Sequence, residues 1–373
     1  MILPLLSRVA NKIGKYYTKF MAKIIYGVAG QGFGHSTRSK ETIRHLISQG
    51  HEVLVFTYGQ GVFLLSEEFN VFEIPGLILS YKDNKLVYWD TIRKNIKHVL
   101  KKSRDWTTIL KKFQEFNPDV VITDFEPLTA LLAKIKRRPL ISVDNQHQMT
   151  NTKIDISPEH AKDLLADKLI IKSMVWGAKY YLVTSFFETP IIRKNTSIFP
   201  PILRQEILNM KTRKDDYILV YQTSDFGHLV NVLKKINCHF VVFGMNVDKV
   251  EGNIEFKNYS SHEWLGYLAN CRALIGNAGL SLITESIYLE KPYLAIPIKK
   301  QVEQIINAQY LQRKGFGLFT YEFSENDFKE FFSQLDKFDQ KLADNKKHDN
   351  SAIFEKLNEL IEHFSSKKKR WIG

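Results

Sequence analysis

Apolar and polar residues follow two rhythms along this chain, one of strand type and one of helix type, and the two take turns. Residues 23–28 form a short apolar run, residues 36–49 repeat apolar positions at helical spacing up to Gly50, and residues 52–57 are apolar again. Beyond the Asn117-Pro118 break, residues 119–123 and 140–143 read as strands with a helix-length stretch between them. Strands separated by helices predict a parallel sheet covered on both faces, so residues 22–205 read as a Rossmann-like domain. Pro200-Pro201 and the charged stretch 211–216 interrupt the pattern, because proline blocks regular structure and the charges need solvent. It restarts at 217–221, 239–243, 273–275 and 293–296, which makes residues 214–345 a second domain of the same kind. Residues 351–373 read as a helix with Phe354, Leu357, Leu360, Ile361 and Phe364 on one face and a basic end. The expected architecture is α/β, with two Rossmann-like domains facing across a cleft.

Residues 1–21 add an amphipathic N-terminal helix, with Leu5, Leu6, Val9 and Ile13 at helical spacing and Arg8, Lys12, Lys15 and Lys19 elsewhere. It lacks the compact apolar core and small-residue cleavage site of a signal peptide. It fits either an interfacial membrane helix or a helix docked on its own protein. A basic helix over residues 93–112 interleaves Ile96, Val99, Trp106 and Ile109 with lysines and arginines, and would also suit an anionic bilayer.

Charge narrows the partners. A net charge of +13 draws the chain to anions, yet no zinc-finger spacing, RNP-type aromatic motif or basic zipper accompanies it, so no nucleic acid is expected. Phosphorylated substrates and lipid headgroups remain. No apolar run approaches the roughly 20 residues of a spanning helix. Two cysteines, Cys238 and Cys271, make neither a disulfide framework nor a zinc site and point to a reducing compartment. The expected location is cytoplasmic, peripheral on the inner face of the cell membrane.

Two constellations carry chemistry. Gly30-Gln31-Gly32-Phe33-Gly34-His35 lies between a strand and a helix, where glycines let a ligand approach the backbone and the helix presents open N–H groups. Its glycine spacing is not the dinucleotide fingerprint, and no acidic residue closes the next strand. The second run is Gly276-Asn277-Ala278-Gly279-Leu280-Ser281, continuing through Glu285 to Glu303-Gln304. A strand entering a small-residue turn and then a helix can receive a diphosphate on backbone N–H groups.

In order and spacing this second run resembles the donor-binding segment of UDP-sugar glycosyltransferases of the GT-B fold. That family includes plant secondary-metabolite enzymes and the N-acetylglucosaminyltransferase of the peptidoglycan lipid precursor. The resemblance implies a UDP-sugar donor substrate and no separate cofactor. Thr223 and Ser224 match the loop that reaches the diphosphate, Asn277, Gly279, Leu280 and Ser281 the turn that cradles it, and Gly34 the turn facing it. Glu285 matches the ribose-binding Glu, and Glu303-Gln304 the acidic-Gln pair on the sugar hydroxyls. His35 matches the catalytic base and Asp124 the carboxylate that orients it. Where the plant enzymes carry His-Cys-Gly, this chain has Gly276-Asn277-Ala278, which shifts the phosphate contacts to backbone and Ser281.

The implied reaction is an inverting displacement at the anomeric carbon, without a metal, onto a lipid-linked or other membrane-associated acceptor such as a glycolipid. Plainer roles stand beside these: His35 and Asp124 as helix caps, Glu285 on a solvated face, His147 as a hydrogen-bonding loop residue. A UDP-sugar 2-epimerase and a non-catalytic nucleotide-sugar-binding regulator are the rival functions.

Overall fold

The computed structural model of the protein describes residues 21–31, 33–76, 81–82, 85–86, 103–222 and 226–369. The N-terminal helix expected over residues 1–21 therefore falls, but for Met21, outside the described residues, as do residues 93–102 of the basic helix and the Thr223-Ser224 pair.

Two seven-stranded sheets form the body. In the first, β1 (Lys23–Val28), β2 (Glu52–Thr57), β3 (Val71–Glu73), β4 (Val120–Asp124), β5 (Leu140–Asp144), β6 (Tyr180–Thr184) and β7 (Thr196–Phe199) lie in the order β3-β2-β1-β4-β5-β6-β7. All its pairings are parallel. In the second, β8 (Ile218–Tyr221), β9 (Phe240–Phe243), β10 (Lys249–Glu251), β11 (Ile254–Lys257), β12 (Ala273–Gly276), β13 (Tyr293–Ala295) and β14 (Gly317–Phe319) follow the order β10-β11-β9-β8-β12-β13-β14. Only β10 runs antiparallel, at the edge. A two-residue ribbon, Tyr81–Lys82 with Lys85–Leu86, stands outside both sheets. Each order reverses direction beside its first strand, between β1 and β4 and between β8 and β12. Open α/β sheets bind ligands at such switch points, at the carboxyl ends of the strands.

The central strands are largely apolar and buried because helices cover both faces. Ile24, Tyr26 and Val28 of β1 point to one core layer and Ile25 to the opposite one. Six helices matter for the site: α1 (Phe33–Ser48), α2 (Pro127–Ile135), α3 (His147–Asn151), α4 (Leu280–Tyr288), α5 (Val302–Lys314) and α6 (Ser351–Lys369).

The structure changes two expectations about this framework. The described part of the basic helix, Ser103–Phe116, does not offer its apolar side to a membrane: Ile109 and Phe113 are buried in the first domain, with Trp106 and Leu110 packed beside them. Its apolar periodicity serves the core. The terminal segment, read as a separate unit, returns to the first domain. Ile353, Leu357, Leu360 and Ile361 join the core of β1, β4 and β5, and Phe354 stacks on His45 of α1 with ring centroids 4.3 Å apart.

Truncating that returning helix should be costly. Leu357 is fully buried, and Leu357→Ala is expected to destabilise the first domain by about 2–5 kcal/mol, as large-to-small core changes do. Urea unfolding followed by tryptophan fluorescence measures it; a loss under about 0.5 kcal/mol would separate the helix from that core.

Candidate active site

The two switch points face each other. In the first domain, parallel pairing sets Val28 of β1 beside Asp124 of β4, so the turn after β1 and the end of β4 open on the same crevice. The turn needs its glycines: a β-carbon on Gly30 would sit 1.7 Å from the Tyr58 carbonyl oxygen. A β-carbon on Gly34, in the first turn of α1, would lie 3.2 Å from Ser281 Oγ of the other domain. Gly279, extended at φ −70° and ψ 135°, is the N-cap of α4, without a side chain to close the helix end. Two helix N-termini with their open N–H groups thus converge across a gap one small side chain wide.

Asp124 is the centre of the first-domain side. It is fully buried and accepts from His35 Nδ1 at 2.8 Å, Arg38 Nε at 2.7 Å, Arg38 Nη2 at 2.5 Å and Ser39 Oγ at 2.9 Å. Four donors fill the lone-pair sites of a carboxylate. Burial pushes the Asp124 carboxyl up, but the charges of Arg38 and then His35 overrule it and hold it at about 2. With Nδ1 donating to Asp124, Nε2 is the ring nitrogen left for another partner, and the side chain keeps 18% of its surface exposed. That is the arrangement of an oriented base.

The helix-capping role open to Asp124 in the sequence belongs to Glu126. Its side chain accepts from Leu128 N at 3.0 Å and Thr129 N at 2.6 Å at the start of α2. His147 is the hydrogen-bonding residue expected of it: it is 2% exposed, pairs with Asp144 at 2.7 Å, and its Nε2 meets the Val175 carbonyl oxygen at 3.2 Å. Asp144 is held also by Ser142 Oγ at 2.5 Å, so this buried pair braces the β5–α3 turn and leaves the cleft to its neighbours Asn145 and Gln146.

Those neighbours cross to the second domain. Asn145 Nδ2 donates to Glu303 Oε1 at 2.8 Å and Gln146 Nε2 approaches Glu303 Oε2 at 3.4 Å. Asn145, Gln148, Leu280, Glu303 and Asn307 line a small pocket between the domains. Gln304 turns partly inward to its own loop, accepting from Ile298 N at 3.0 Å and donating to Gln301 Oε1 at 2.9 Å. Asn277 donates to the Ile296 carbonyl oxygen at 3.2 Å, and Asn307 to that of Ala278 at 3.1 Å, which fixes the turn before α4.

Glu285 is not on a solvated face. It is 4% exposed and forms a two-point pair with Arg204, at 2.7 and 2.8 Å. Leu280 and Ser281 lie a turn before it in α4. The structure thus gathers His35, Asp124 and Gly34 at one switch point and Asn277, Gly279, Leu280, Ser281 and Glu285 at the other, with Glu303 between them. Sequence reasoning missed Arg38, Asn145 and Arg204 as site residues. Arg38 had a signal, since i and i+3 share a helix face with His35; Arg204 stands in a loop and had none.

This geometry agrees with the comparisons. A family model described as Glycosyl transferase family 1 matches residues 22–336, and the chain belongs to that family. An uncharacterized glycosyltransferase of Methanosarcina acetivorans is 23% identical over 325 residues, 79% of this chain and 84% of the relative. The UDP-N-acetylglucosamine–N-acetylmuramyl-(pentapeptide) pyrophosphoryl-undecaprenol N-acetylglucosamine transferase of Clostridium novyi is 28% identical over 149 residues, 36% of this chain and 41% of that protein. Among solved structures, MurG of Acinetobacter baumannii superposes with a TM-score of 0.58 at 14% identity, covering 91% of this chain and 99% of that one. A UDP-glucosyltransferase from Polygonum tinctorium gives 0.65 at 12% identity, covering 92% and 99%. The protein is a glycosyltransferase of the GT-B fold.

Glu126 gives this site a pH signature. Burial raises its carboxyl to about 7, against the hydrogen bonds from Thr129 and Leu128, whereas an unfolded Glu titrates near 4.3. The folded state therefore holds the extra proton between those values, and stability must fall as pH rises through that window. Glu126→Gln should flatten that slope. Melting temperatures of both proteins from about pH 5 to 8 test it, and parallel curves would clear Glu126 of the effect.

Proposed function

We propose that this glycosyltransferase takes a sugar from a UDP-sugar and passes it, with inversion, to a lipid-linked or otherwise membrane-associated acceptor. The observation that carries the reading is the His35–Asp124 pair opposite the Gly279-Leu280-Ser281 turn. In the proposed step, Nε2 of His35 takes the proton of an acceptor hydroxyl as its oxygen bonds to the anomeric carbon. The bond from that carbon to the diphosphate oxygen breaks, and UDP leaves with the electron pair. Its charge is met by the N–H groups opening α4, by Ser281, and by Thr223 and Ser224, so the step calls for no metal. Glu303 and Gln304 receive sugar hydroxyls. Glu285 takes the ribose hydroxyls on lone pairs that Arg204 leaves open, since a carboxylate has about four such sites and Arg204 uses two.

The acceptor class draws support from the undecaprenol-linked substrate in the name of the Clostridium novyi relative and from the net charge of +13. The proposed location is the inner face of the cell membrane, with residues 1–20 as the contact. Flotation with anionic vesicles at low salt tests this: binding that survives deletion of residues 1–20 would remove the segment from the role, and salt should release a charge-held protein.

Catalysis and donor binding should separate by domain. His35→Ala is expected to lose about 10²–10⁴-fold in turnover while UDP affinity stays within a few-fold. Glu285→Ala should instead weaken UDP by about 1.5–3 kcal/mol, the worth of charged hydrogen bonds. UDP release from a panel of nucleotide sugars, with and without membrane lipid extract, supplies the assay, and calorimetry the affinity. Wild-type turnover in His35→Ala with chemistry rate-limiting would end the reading of His35 as base, and UDP binding without turnover on any acceptor would favour a regulator.

A further inference from the structure

We propose that Arg38 is a positioning residue: the standing counter-ion of the buried Asp124, which fixes that carboxylate to accept from His35 Nδ1 and leaves Nε2 as the nitrogen to take a proton. The inference rests on the reading of His35 as the base.

A carboxylate out of water has to be matched by positive charge. Two groups here can supply it, and they differ in kind. Arg38 is charged at every working pH, whereas His35 becomes a cation only by taking the proton that a base must leave open. If His35 were the sole partner, the carboxylate would favour that proton on the ring. Arg38 counters this by reaching Asp124 twice, Nε to Oδ2 at 2.7 Å and Nη2 to Oδ1 at 2.5 Å. Such a two-point pair is strong and directional.

The guanidinium is itself anchored. Its third nitrogen, Nη1, donates to Asn145 Oδ1 at 2.7 Å, and Asn145 Nδ2 donates on to Glu303 Oε1 at 2.8 Å. The chain from Asp124 through Arg38 and Asn145 thus ends on the carboxylate of the opposite domain. Arg38 Nη2 also lies 2.8 Å from His35 Nδ1. With that nitrogen donating to Asp124, the contact sets two donors side by side on one oxygen, and a second positive charge on the ring would be disfavoured.

The remaining groups act in the same direction or stand aside. From β1, Tyr26 is buried with its phenol held neutral, pushed up first by burial and then by Asp124. From α1, Ser39 only donates. Asp144 of β5 and Glu303 of α5 both favour the charge on Arg38, and Asp144 has His147 as its own partner.

The test needs no substrate. Histidine side chains labelled with 13C and 15N are titrated by NMR, with the His35 signal assigned by its loss in His35→Ala. In Arg38→Met the His35 midpoint is expected to rise by about one pH unit or more, the scale set by an opposite charge at contact. In Asp124→Asn it should fall, since Arg38 then faces the ring without its carboxylate. Arg38→Lys, which restores charge without the two-point contact, should bring the midpoint most of the way back. Should Arg38→Met fail to fold, Arg38→Gln carries the same test, being neutral and able to keep the Asn145 link. A folded neutral variant at Arg38 whose His35 midpoint is unmoved or lowered overturns the inference, as does a rise in Asp124→Asn. Full turnover in His35→Ala would instead remove the base reading, and leave the titration result standing by itself.

Discussion

A carboxylate buried at the end of a parallel strand has to be matched by charge and by hydrogen bonds, and Asp124 imposes that requirement on everything around it. The β1–β4 pairing puts it level with Val28, so the helix that follows β1 must pass directly over it. The first turns of that helix then supply His35, Arg38 and Ser39, three donors from one face at spacings of three and one. Behind them the turn at Phe125, with φ 54°, swings the chain so that Glu126 caps α2 instead. Thr129 of α2 in turn packs where a side chain on Gly27 would be, 2.5 Å from its missing β-carbon. The strand, the glycine, the cap and the charge cluster form one unit, and an exchange at any member displaces the others.

The second domain meets this unit across a seam of polar contacts around one small shared apolar cluster. Asn145 reaches Glu303, Gln309 Nε2 donates to Ser157 Oγ at 2.8 Å, Arg313 pairs with Asp155 at 3.0 Å, and His160 meets Tyr321 at 2.8 Å. Apolar contact is concentrated where Phe187 stacks on Tyr310, centroids 3.8 Å apart, beside Val302 and Ile306. Polar contacts of this kind exchange with water at little net cost, so the seam suits two bodies that adjust to a ligand. The returning α6 fastens the second domain's end to the first domain's core, which limits how far the two can part.

The alternation of strands and helices was legible because covered parallel strands are apolar runs with clear breaks, and most of their bounds in the sequence fall within a residue of the structure: residues 119–123 against Val120–Asp124, for example. Several strands escaped, among them Val71–Glu73, Tyr180–Thr184, Thr196–Phe199, Ile254–Lys257 and Gly317–Phe319, most of them only three or four residues long. Among site residues, those on glycine-rich turns could be read, since turn chemistry is local. Arg204 could not. Its partner Glu285 is 81 residues away and no local pattern links a loop arginine to a helix carboxylate. The basic helix misled for a related reason: periodicity says that one face is apolar but not what covers it, and at Ile109 and Phe113 the cover is the protein's own core.

Charge is therefore distributed in this cleft so that each carboxylate has a partner before any ligand arrives. Asp124 has Arg38, Asp144 has His147, Glu285 has Arg204, and Glu303 has the amides of Asn145 and Gln146. The partners range from the permanent cations Arg38 and Arg204 to the neutral amides at Glu303. Arg38 and Asp124 are nearly closed to solvent, and a pair so enclosed holds its geometry because breaking it would strand a buried charge. Glu303 is half-buried and held only by neutral donors, whose bonds are worth less and can be traded for hydroxyls of equal quality. On the proposed reading that difference has a use. The group that must stay fixed through every cycle sits in the charged pair, while the group that must greet and release a sugar keeps the weaker partners. A donor hydroxyl replacing Asn145 at Glu303 would leave Arg38 still anchored at Asp124 by two of its three nitrogens, so the base stays aligned while the seam opens and closes.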